Sequence, residues 1–243
     1  MKPLFSVIIP AHNEEDYIGR CLDAIRKAAV HVPPQRVQVI VVANRCTDAT
    51  AEIACSYGAQ VLENTDTSIA AIRNAGARLA EGRVIMTIDA DSFMSEGTFE
   101  EIWEKLTSGD YIGGGAIPTF DRASPGIAAS TMVVAVHLLP VMLRERAGLS
   151  GGLFWTYKKA FDAIGGFDES LVSMEDMDFA VRLNRLGAEN GRKYGTLRSP
   201  LITSSRKFDQ FGDWYLLKDL KNTRAILTGH DRAAADAFYY NVR

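Results

Sequence analysis

Val84-Ile85-Met86-Thr87-Ile88-Asp89-Ala90-Asp91 is the stretch that decides the fold, because a mainly apolar run ends directly on two aspartates. The run is short and rich in β-branched residues, a pattern typical of a strand that is covered on both faces. Similar runs occupy residues 7–9 and 37–42, and helix-like segments at 17–29 and 68–80 separate the three runs. Strands that alternate with helices predict an α/β fold, with a mostly parallel central sheet flanked by helices.

The chain length of 243 residues fits one domain of this class. Beyond residue 120 the alternation gives way to a long apolar run, a Gly-rich aromatic stretch and a short acidic helix, and no linker or repeat intervenes. We therefore predict a single domain over residues 1–243, built from the halves 1–120 and 121–243. The last stretch, residues 211–243, carries apolar residues among charges, which indicates packing helices or a contact in a homo-oligomer.

Composition and charge exclude several classes of protein. With 27 Lys and Arg against 30 Asp and Glu, the net charge is −3, so the chain lacks the basic field that binds nucleic acid. Cys21, Cys46 and Cys55 form no C-x-x-C motif, which argues against a disulfide framework and a structural zinc site. The first apolar run is too short for a signal peptide. These features together predict a cytoplasmic location.

One segment, residues 127–143, is apolar enough to question that location. It is a run of 17 residues without a charge, and it contains His137 and Pro140. A bilayer span needs about 18–20 such residues, so a buried helix that is kinked near Pro140 is the main prediction. The alternative is a helix that touches a lipid surface, at the inner face of the membrane, or a lipidic acceptor.

Asp89 and Asp91 carry the first chemical signal. In an extended chain the two aspartates of a D-x-D motif project to the same face, with Cα atoms about 7 Å apart. Two like charges there repel each other unless a cation lies between them, and Mg²⁺ or Mn²⁺ completed by substrate phosphates is the expected ion. The alternative is structural, with the pair ending a strand and capping the next helix through Asp91 or Ser92.

A second acidic pair, Glu175-Asp176, lies at the predicted start of another helix. Ser173 is a plausible N-cap with Asp176 at the capping-box position, and the helix dipole stabilises acids in a first turn whatever their function. That explanation leaves the preceding Gly165-Gly166 unexplained, since glycines let a backbone approach a ligand closely. The pair is therefore also a candidate for chemistry.

Six motifs occur in an order that resembles a known family. They are Ser6-Val-Ile-Ile-Pro-Ala-His-Asn-Glu-Glu15, Val41-Val-Ala-Asn-Arg-Cys-Thr-Asp48, Arg73-Asn-Ala-Gly76, Ile88-Asp-Ala-Asp91, Gly165-Gly-Phe-Asp-Glu169 and Glu175-Asp176. Together they resemble family 2 glycosyltransferases of the GT-A fold, in register from about Ser6 to Leu186. The resemblance implies a transferase that uses a nucleotide-sugar donor and a divalent cation, Mg²⁺ or Mn²⁺, and usually inverts the anomeric carbon.

The resemblance also implies roles for individual residues. Asp91 would coordinate the metal and Asp176 would be the catalytic base. This division fits the chemistry, because a metal neutralises charge on the departing diphosphate while a carboxylate takes the proton of the attacking hydroxyl. The residues implied in nucleotide binding are Pro10, Ala11, Asn13, Glu14, Asn44, Arg73 and Asp89.

Two positions depart from the family pattern. The family usually has an aspartate at the position of Asn44, which is expected to read the base edge. An amide both accepts and donates hydrogen bonds, which suits uracil, so a UDP-sugar is favoured over a GDP-sugar. Some relatives have a metal-ligating His near the position of Arg206. We therefore expect Arg206 to contact phosphate or acceptor, with a solvated surface charge as the alternative.

Contacts to the sugar and the acceptor are expected from the second half of the chain. Gly151 and Gly152 would let the backbone lie against the sugar, and Glu175 would position sugar or acceptor. Trp155 or Tyr157 would form an apolar platform, unless either is a core aromatic. The sugar and the acceptor themselves are not identified by the sequence.

Two rival functions come from other classes of protein. The G-x-S-x-G motif of serine hydrolases is matched around Ser150, and Asp176 and His230 follow in the chain order of that class. That motif requires a strand before the serine and a helix after it, whereas the sequence predicts the reverse. The second rival is a nucleotide-sugar-binding protein that has the fold but no turnover.

Overall fold

The computed structural model describes residues 2–32, 36–145, 150–218 and 223. The strands are β1 (Phe5–Ala11), β2 (Val37–Asn44), β3 (Gln60–Asn64), β4 (Val84–Ile88), β5 (Ser92–Met94), β6 (Tyr111–Gly115), β7 (Pro118–Phe120), β8 (Leu153–Tyr157), β9 (Lys193–Thr196) and β10 (Leu201–Thr203). The α-helices are α1 (Ile18–Ala28), α2 (Thr50–Ser56), α3 (Ile69–Leu79), α4 (Thr98–Thr107), α5 (Pro125–Glu145), α6 (Lys158–Ala163), α7 (Glu175–Glu189), α8 (Arg206–Phe211) and α9 (Tyr215–Lys218).

The main sheet has the strand order β3-β2-β1-β4-β8-β6-β9. Strands β3, β2, β1 and β4 are parallel, β8 runs antiparallel to both of its neighbours, and β9 is parallel to β6. A small second sheet has the order β5-β10-β7. The predicted α/β class and mostly parallel sheet are confirmed.

The sheet is covered on both faces, as the apolar runs predict. Every residue of β1 and β4 is buried, and successive side chains of β1 enter different cores. Val7 packs into the cluster that contains the apolar residues of α1 and α4, whereas Ile8 packs into the cluster of α3, α6 and α7. Because strand side chains alternate between the two faces, a fully covered strand needs an unbroken apolar sequence.

The strands and helices predicted for the first half are confirmed, but strands β3, β5, β6 and β7 were not predicted. Strand β3 lies at the edge of the main sheet, and its residues are exposed or half-buried. Edge strands are commonly short and polar, so Gln60–Asn64 lacks the apolar run by which β1, β2 and β4 are recognised.

Helix α5 contradicts the prediction of a buried helix at 127–143. Its large apolar side chains are exposed at Met132 (63%), Val136 (59%), Leu139 (47%) and Leu143 (71%). Its most apolar window has a mean hydropathy of 2.0 and is only 22% buried. Pro140 lies inside the helix, as expected. By length and composition α5 is able to cross a membrane, and it is the one such helix among the described residues.

The end of the chain tests little of what its sequence predicts. Helices α8 and α9 pack beside β7 and α5, with Phe208 edge-on to Phe120 at 5.0 Å between ring centroids. The predicted packing helices or homo-oligomer contact at 211–243 lies outside the described residues beyond Lys218, except at Thr223. The division of a single domain at residue 120 also stays a prediction.

Candidate active site

The candidate site forms where parallel strands end side by side. Strands β1 and β2 pair in register up to Ala11 and Ala43, and β1 also pairs in parallel with β4. Their carboxyl ends therefore meet at one edge of the sheet, the edge at which open α/β sheets bind ligands. Glu14 follows β1 and Asp89 follows β4, so the topology brings their carboxylates to this edge.

Arg73 lies between two carboxylates at the centre of this edge, and we call Arg73, Asp89 and Glu175 the Arg73 cluster. Its Nη1 donates to Oε1 of Glu175 at 2.7 Å, and its Nη2 donates to Oδ1 of Asp89 at 2.9 Å. The Arg73 side chain is only 5% exposed. Burial alone lowers its pKa, but the two carboxylates raise the pKa above its usual value, so the guanidinium stays charged. The cluster joins β4 to α7 through α3.

The close approach of α3 to the sheet is what places Arg73 there. Gly76 lies one turn further along the helix, and a Cβ at that position would lie 2.5 Å from Cγ2 of Ile8. A side chain at Gly76 would push the helix away from β1 and lengthen both ion pairs of Arg73. The Arg73-Asn-Ala-Gly76 motif therefore has a structural reason for its glycine.

Asp176 lies beside the Arg73 cluster in the first turn of α7. Burial and the neighbouring carboxylate of Glu175 raise the pKa of Asp176 from 3.8 to about 7, although Arg73 acts in the opposite direction. A carboxylate whose pKa is near neutral pH is well matched to taking a proton. Asp176 is thus the described residue whose environment best fits a general base.

The start of α7 differs from the predicted capping box. Its N-cap is Met174, which has a left-handed backbone with φ +64°, and no side chain caps the helix. The prediction that Ser173 is the N-cap, paired with Asp176 at the capping-box position, is therefore wrong. Asp176 Oδ1 instead accepts a hydrogen bond from the backbone N–H of Met177 at 2.8 Å. A strained turn fixes the direction of the two acids.

The two glycines before α7 differ in their surroundings. A Cβ on Gly166 would lie 2.5 Å from Oδ1 of Asn74, whose amide exchanges two hydrogen bonds with the backbone of Phe167 at 2.8 and 2.9 Å, whereas a Cβ on Gly165 would have no heavy atom within 4 Å. The interpretation that the glycine admits a ligand is therefore wrong for Gly166, which admits Asn74, the residue that holds the segment before α7 against α3. The same segment thus orients Glu175 and Asp176.

Arg206 forms a second cluster with Glu14 and Asp91, which we call the Arg206 cluster. Nη1 and Nη2 of Arg206 bind the two carboxylate oxygens of Glu14, each at 2.6 Å, and Nη2 also lies 3.0 Å from Oδ2 of Asp91. The guanidinium stacks 4.7 Å from the ring centroid of Tyr17. With its side chain only 14% exposed, Arg206 is not the solvated surface charge of the alternative prediction.

The D-x-D segment adopts a turn rather than an extended strand. The backbone N–H of Ser92 donates to the carbonyl of Asp89 at 3.0 Å, and Ser92 begins strand β5 instead of a helix. The expected extended geometry and the alternative of a helix cap are both wrong. Each aspartate faces its own arginine, Asp89 in the Arg73 cluster and Asp91 in the Arg206 cluster.

The donor set fits a divalent cation that is completed by a ligand. Among the described residues no group of three or more His, Cys, Asp or Glu side chains could hold a metal ion. Mg²⁺ and Mn²⁺ need only one or two protein carboxylates when phosphates supply the remaining oxygens. The guanidinium of Arg206 already lies 3.0 Å from Oδ2 of Asp91, so this carboxylate faces a position that suits a cation. Asp91, with Asp89 nearby, is the described residue that would hold such an ion.

Asn44 does not lie as predicted, with its amide open to a base edge. The residue is 1% exposed, and its Nδ2 donates to Oδ1 of Asn64 at 2.8 Å and to the carbonyl of Asp66 at 2.9 Å. Its Oδ1 accepts from Nε of Arg45 at 3.1 Å. The amide therefore joins β2 to the end of β3. The prediction that the amide of Asn44 reads a uracil edge is wrong.

The loops after β1 and β2 brace each other beside Asn44. Asn13, with φ +51°, accepts the backbone N–H of Thr47 on its Oδ1 at 2.8 Å. The backbone N–H of Glu14 donates to Oγ1 of Thr50 at 2.7 Å. Pro10 and Ala11 are buried at the end of β1 beneath these loops. Asn64, Asp66 and Thr50 were not predicted as site residues from the sequence. Only their positions, after a strand or at the start of a helix, could have indicated such a role.

The predicted sugar contacts divide into two groups. Gly152 lies at the site: its carbonyl accepts the backbone N–H of Asp89 at 2.9 Å, and Gly151 precedes it at the start of β8. Trp155 is fully buried in the core, and Tyr157 pairs with Val84 at the amino end of β4, the far end of that strand from Asp89. The platform prediction is therefore wrong for both aromatic residues.

The serine hydrolase reading fails on local structure. Ser150 is followed by strand β8 and preceded in the chain by helix α5, which inverts the strand–serine–helix order that a nucleophile elbow needs. The Ser150 hydroxyl lies 2.6 Å from the Tyr194 hydroxyl. Gly148 and His230, on which that rival also depends, lie outside the described residues.

Comparisons with known proteins identify the family and agree with this fold. The model of a family described as "Glycosyl transferase family 2" matches residues 6–167. The chain is 27% identical over 110 residues to the uncharacterized glycosyltransferase EpsJ of Bacillus subtilis (strain 168), a match that covers 43% of this chain and 31% of EpsJ.

Two solved structures share the fold. S. aureus TarS 1–349 in complex with UDP-GlcNAc matches with a TM-score of 0.62 and 19% identity, over 98% of this chain and 71% of that one. The mannosyltransferase PcManGT from Pyrobaculum calidifontis, in complex with GDP-Man and Mn²⁺, matches with a TM-score of 0.65 and 17% identity, over 95% and 63%. Because the family model covers more than half of the sequence, the chain belongs to glycosyl transferase family 2, and its fold is GT-A.

Proposed function

We propose that this protein is a glycosyltransferase that moves a sugar from a nucleotide-sugar donor to an acceptor hydroxyl. In this proposal Asp176 is the general base, and the Arg73 and Arg206 clusters form the donor site. The acceptor is bound by the second half of the chain.

One observation carries the proposal: Asp176, with a pKa of about 7, lies beside the Arg73 cluster at the carboxyl edge of the parallel strands. A purely structural role would not explain a carboxylate held near the neutral form beside a second acid. Perturbed acids of this kind concentrate at functional sites. Arg73 ties Glu175, the neighbour of Asp176, to Asp89, so the acid on α7 has a defined position relative to the donor edge.

The chemistry follows from these positions. Asp176 takes the proton of the acceptor hydroxyl while that oxygen bonds to the anomeric carbon and the bond from this carbon to the diphosphate breaks, with inversion. Glu175 accepts a hydrogen bond from Arg73 and holds the start of α7 in place. A divalent cation, when bound, would be held by Asp91 and the donor phosphates and would neutralise the charge on the leaving diphosphate.

We propose a UDP-sugar as the donor, with a GDP-sugar as the alternative. The support is now a likeness to S. aureus TarS, solved with UDP-GlcNAc, and no longer the amide of Asn44. PcManGT, with a similar fold, was solved with GDP-Man and Mn²⁺, which supports a manganese or magnesium ion but also the other base. Fold alone does not choose between them.

Thermal-shift measurements with a panel of UDP- and GDP-sugars, each with and without Mn²⁺, test the donor. Specific stabilisation raises the melting temperature by mass action, and we expect the largest rise for a UDP-sugar together with Mn²⁺. Stabilisation without any release of UDP in acceptor screens would favour the rival, a binding protein without turnover. No stabilisation by any nucleotide sugar would contradict both.

We also propose that the exposed face of α5 contacts a lipid surface or a lipidic acceptor. The support is its mean hydropathy of 2.0 and the exposure of Met132, Val136, Leu139 and Leu143. Residues of this kind are rarely left exposed together on a protein that meets only water. The cytoplasmic location stays a prediction, and contact at the inner face of a membrane is compatible with it.

A further inference from the structure

The Arg206 cluster holds a charge arrangement that the proposed donor site does not require. Glu14 and Asp91 are the acids assigned to nucleoside and metal, yet the cation between them is the side chain of Arg206. The side chains of Glu14 and Asp91 are 1% and 12% exposed, so bulk water solvates neither carboxylate well. Two buried acids of like charge need a counter-ion, and Arg206 supplies it.

We propose that Arg206 is a displaceable counter-cation of the donor site. In the donor-free protein it neutralises Asp91 and Glu14, and on donor binding it leaves Asp91 and turns to the diphosphate. A divalent metal would then bind tightly only together with a nucleotide diphosphate. This inference rests on the proposed function and adds to it a coupling between metal binding and diphosphate binding.

Electrostatics requires the displacement. A metal bound to Oδ2 of Asp91 would lie within a few ångströms of Nη2 of Arg206, which is 3.0 Å from the same oxygen. Two cations at that separation in a largely buried site repel strongly. The carboxylate of Asp91 therefore binds either Arg206 or the metal. A diphosphate brings negative charge that offers Arg206 a new bidentate partner and so frees Asp91 for the metal.

The backbone around Arg206 stays in place while its side chain moves. Strand β10 pairs with β5, and the backbone N–H of Ser204 donates to the carbonyl of Asp91 at 3.0 Å. The backbone N–H of Ser205 donates to Oδ1 of Asp121 at 2.9 Å. The backbone at the start of α8 is thus held next to Asp91. In this proposal the guanidinium leaves Asp91 through a change of side-chain rotamers alone.

Linkage makes the inference measurable without any turnover. If a diphosphate draws Arg206 away from Asp91, then UDP raises the affinity for Mn²⁺, and Mn²⁺ raises the affinity for UDP by the same factor. In wild-type protein we expect weak binding of Mn²⁺ alone and a large coupling factor. Without Arg206, Mn²⁺ should bind better alone, and the coupling should shrink.

The test compares wild type with Arg206→Gln by electron paramagnetic resonance of free Mn²⁺, with and without UDP. We expect Arg206→Gln to bind Mn²⁺ alone about tenfold more tightly and to lose most of the coupling, a change typical of linked sites. Arg122→Gln is the matched control, because Arg122 also pairs with two aspartates, Asp209 and Asp213, but outside the site. The control should leave both values unchanged.

A second variant separates displacement from a general change of charge. Glu14→Gln/Arg206→Gln removes one negative and one positive charge, so the local net charge is kept, and Asp91 is the one acid of the cluster that loses its arginine partner. If displacement is correct, this variant also binds Mn²⁺ alone more tightly than wild type, because Asp91 is no longer occupied. The double variant also tests the inference if Arg206→Gln alone does not fold.

Three results would overturn the inference, and they differ in what they leave standing. Unchanged Mn²⁺ affinity in both variants would show that Arg206 does not compete for Asp91. Unchanged coupling with UDP would show that Arg206 does not move to the diphosphate. In either case UDP binding by wild type would leave the proposed function intact. Absence of both UDP and GDP binding by the wild type, with or without Mn²⁺, would overturn the inference together with the proposed function.

Discussion

The Arg73 cluster and the Arg206 cluster are built alike, with one arginine between two carboxylates, yet they differ in what supports them. Arg73 and Glu175 come from regular helices, and the arginine side chain is 5% exposed. In the Arg206 cluster both acids come from loops or turns after strands, and the arginine is 14% exposed. A partner on a packed helix is hard to replace, whereas a partner on a loop at the mouth of a site can be exchanged for a ligand.

The comparison assigns different tasks to two similar ion pairs. The Arg73 cluster is permanent and fixes α7, the helix that carries Asp176. The Arg206 cluster is provisional and keeps the donor site neutral until a ligand arrives. If the clusters differ in this way, activity should depend most on Asp176, the residue that the Arg73 cluster positions.

Asp176→Asn should have the largest effect on activity. The amide keeps the shape of the side chain but does not accept the acceptor's proton, so we expect transfer to fall by about 10²–10⁴-fold. Initial rates of UDP release with saturating donor measure this, and UDP binding should stay within about twofold because Asp176 is not a donor contact. Asp178→Asn is the matched control, since Asp178 lies in the same turn but pairs with Arg182. Normal transfer by folded Asp176→Asn would show that the base is another group.

Arg73→Gln and Arg206→Gln should differ in how a ligand rescues them. Removing Arg73 leaves Glu175 and Asp89 without their shared cation, and breaking a buried pair of this kind costs about 3–5 kcal/mol of unfolding free energy. Chemical denaturation measures that loss. Mn²⁺ should restore part of the stability of Arg206→Gln, because the metal takes the place of the missing cation at Asp91, but none of the stability of Arg73→Gln. Equal rescue of both variants would remove the distinction between the clusters.

The pH dependence should show opposite trends for activity and stability. Because the pKa of Asp176 is about 7, transfer should fall about tenfold per pH unit below that value as the base becomes protonated. The folded pKa lies above the unfolded value of 3.8, so the folded state holds the extra proton between the two. Stability should therefore fall as the pH rises through this window. Asp176→Asn should abolish this stability trend, and if it persists, another group causes it.

Features that depend on neighbouring residues in the chain can be predicted from the sequence, whereas contacts between residues far apart in the chain cannot. Strands β1, β2 and β4 are recognised because a fully covered strand imposes its apolar pattern locally. The partner of Arg206 cannot be recognised in this way, because Glu14 lies 192 positions away and no local pattern indicates which acid an arginine contacts. The acids and both arginines were found as candidates, but the pairing of Asp89 with Arg73 and of Asp91 with Arg206 was not predicted.

The burial of apolar residues was misjudged for a related reason. Trp155 is buried, as its core-aromatic alternative predicts, whereas the apolar residues of α5 are exposed, the reverse of the main prediction for 127–143. Burial depends on which elements pack against a segment, and hydrophobic composition alone does not say whether a partner is present. Asn44 belongs to the same class, because its amide is occupied by Asn64 and Asp66, which a single strand does not reveal.

Helix α5 lies outside both clusters, and changing its exposed face should have the smallest effect on the folded protein. Val136→Ser/Leu139→Ser should change the unfolding free energy by no more than about 1 kcal/mol, since exposed positions contribute little. Phe179→Ala is the contrasting control: Phe179 is 1% exposed and stacks on Phe167 at 4.3 Å, and a core truncation of this size costs about 3–5 kcal/mol.

The same double variant tests the proposed lipid contact. Wild-type protein should co-sediment with phospholipid vesicles and Val136→Ser/Leu139→Ser should remain in the supernatant, because the variant loses apolar surface that the bilayer would cover. Its affinity for UDP with Mn²⁺ should match wild type, since neither cluster includes a residue of α5. If neither protein co-sediments with vesicles, the exposed face of α5 does not bind lipid. If the variant binds UDP more weakly, then α5 supports the donor site, and the separation between that site and the apolar helix is wrong.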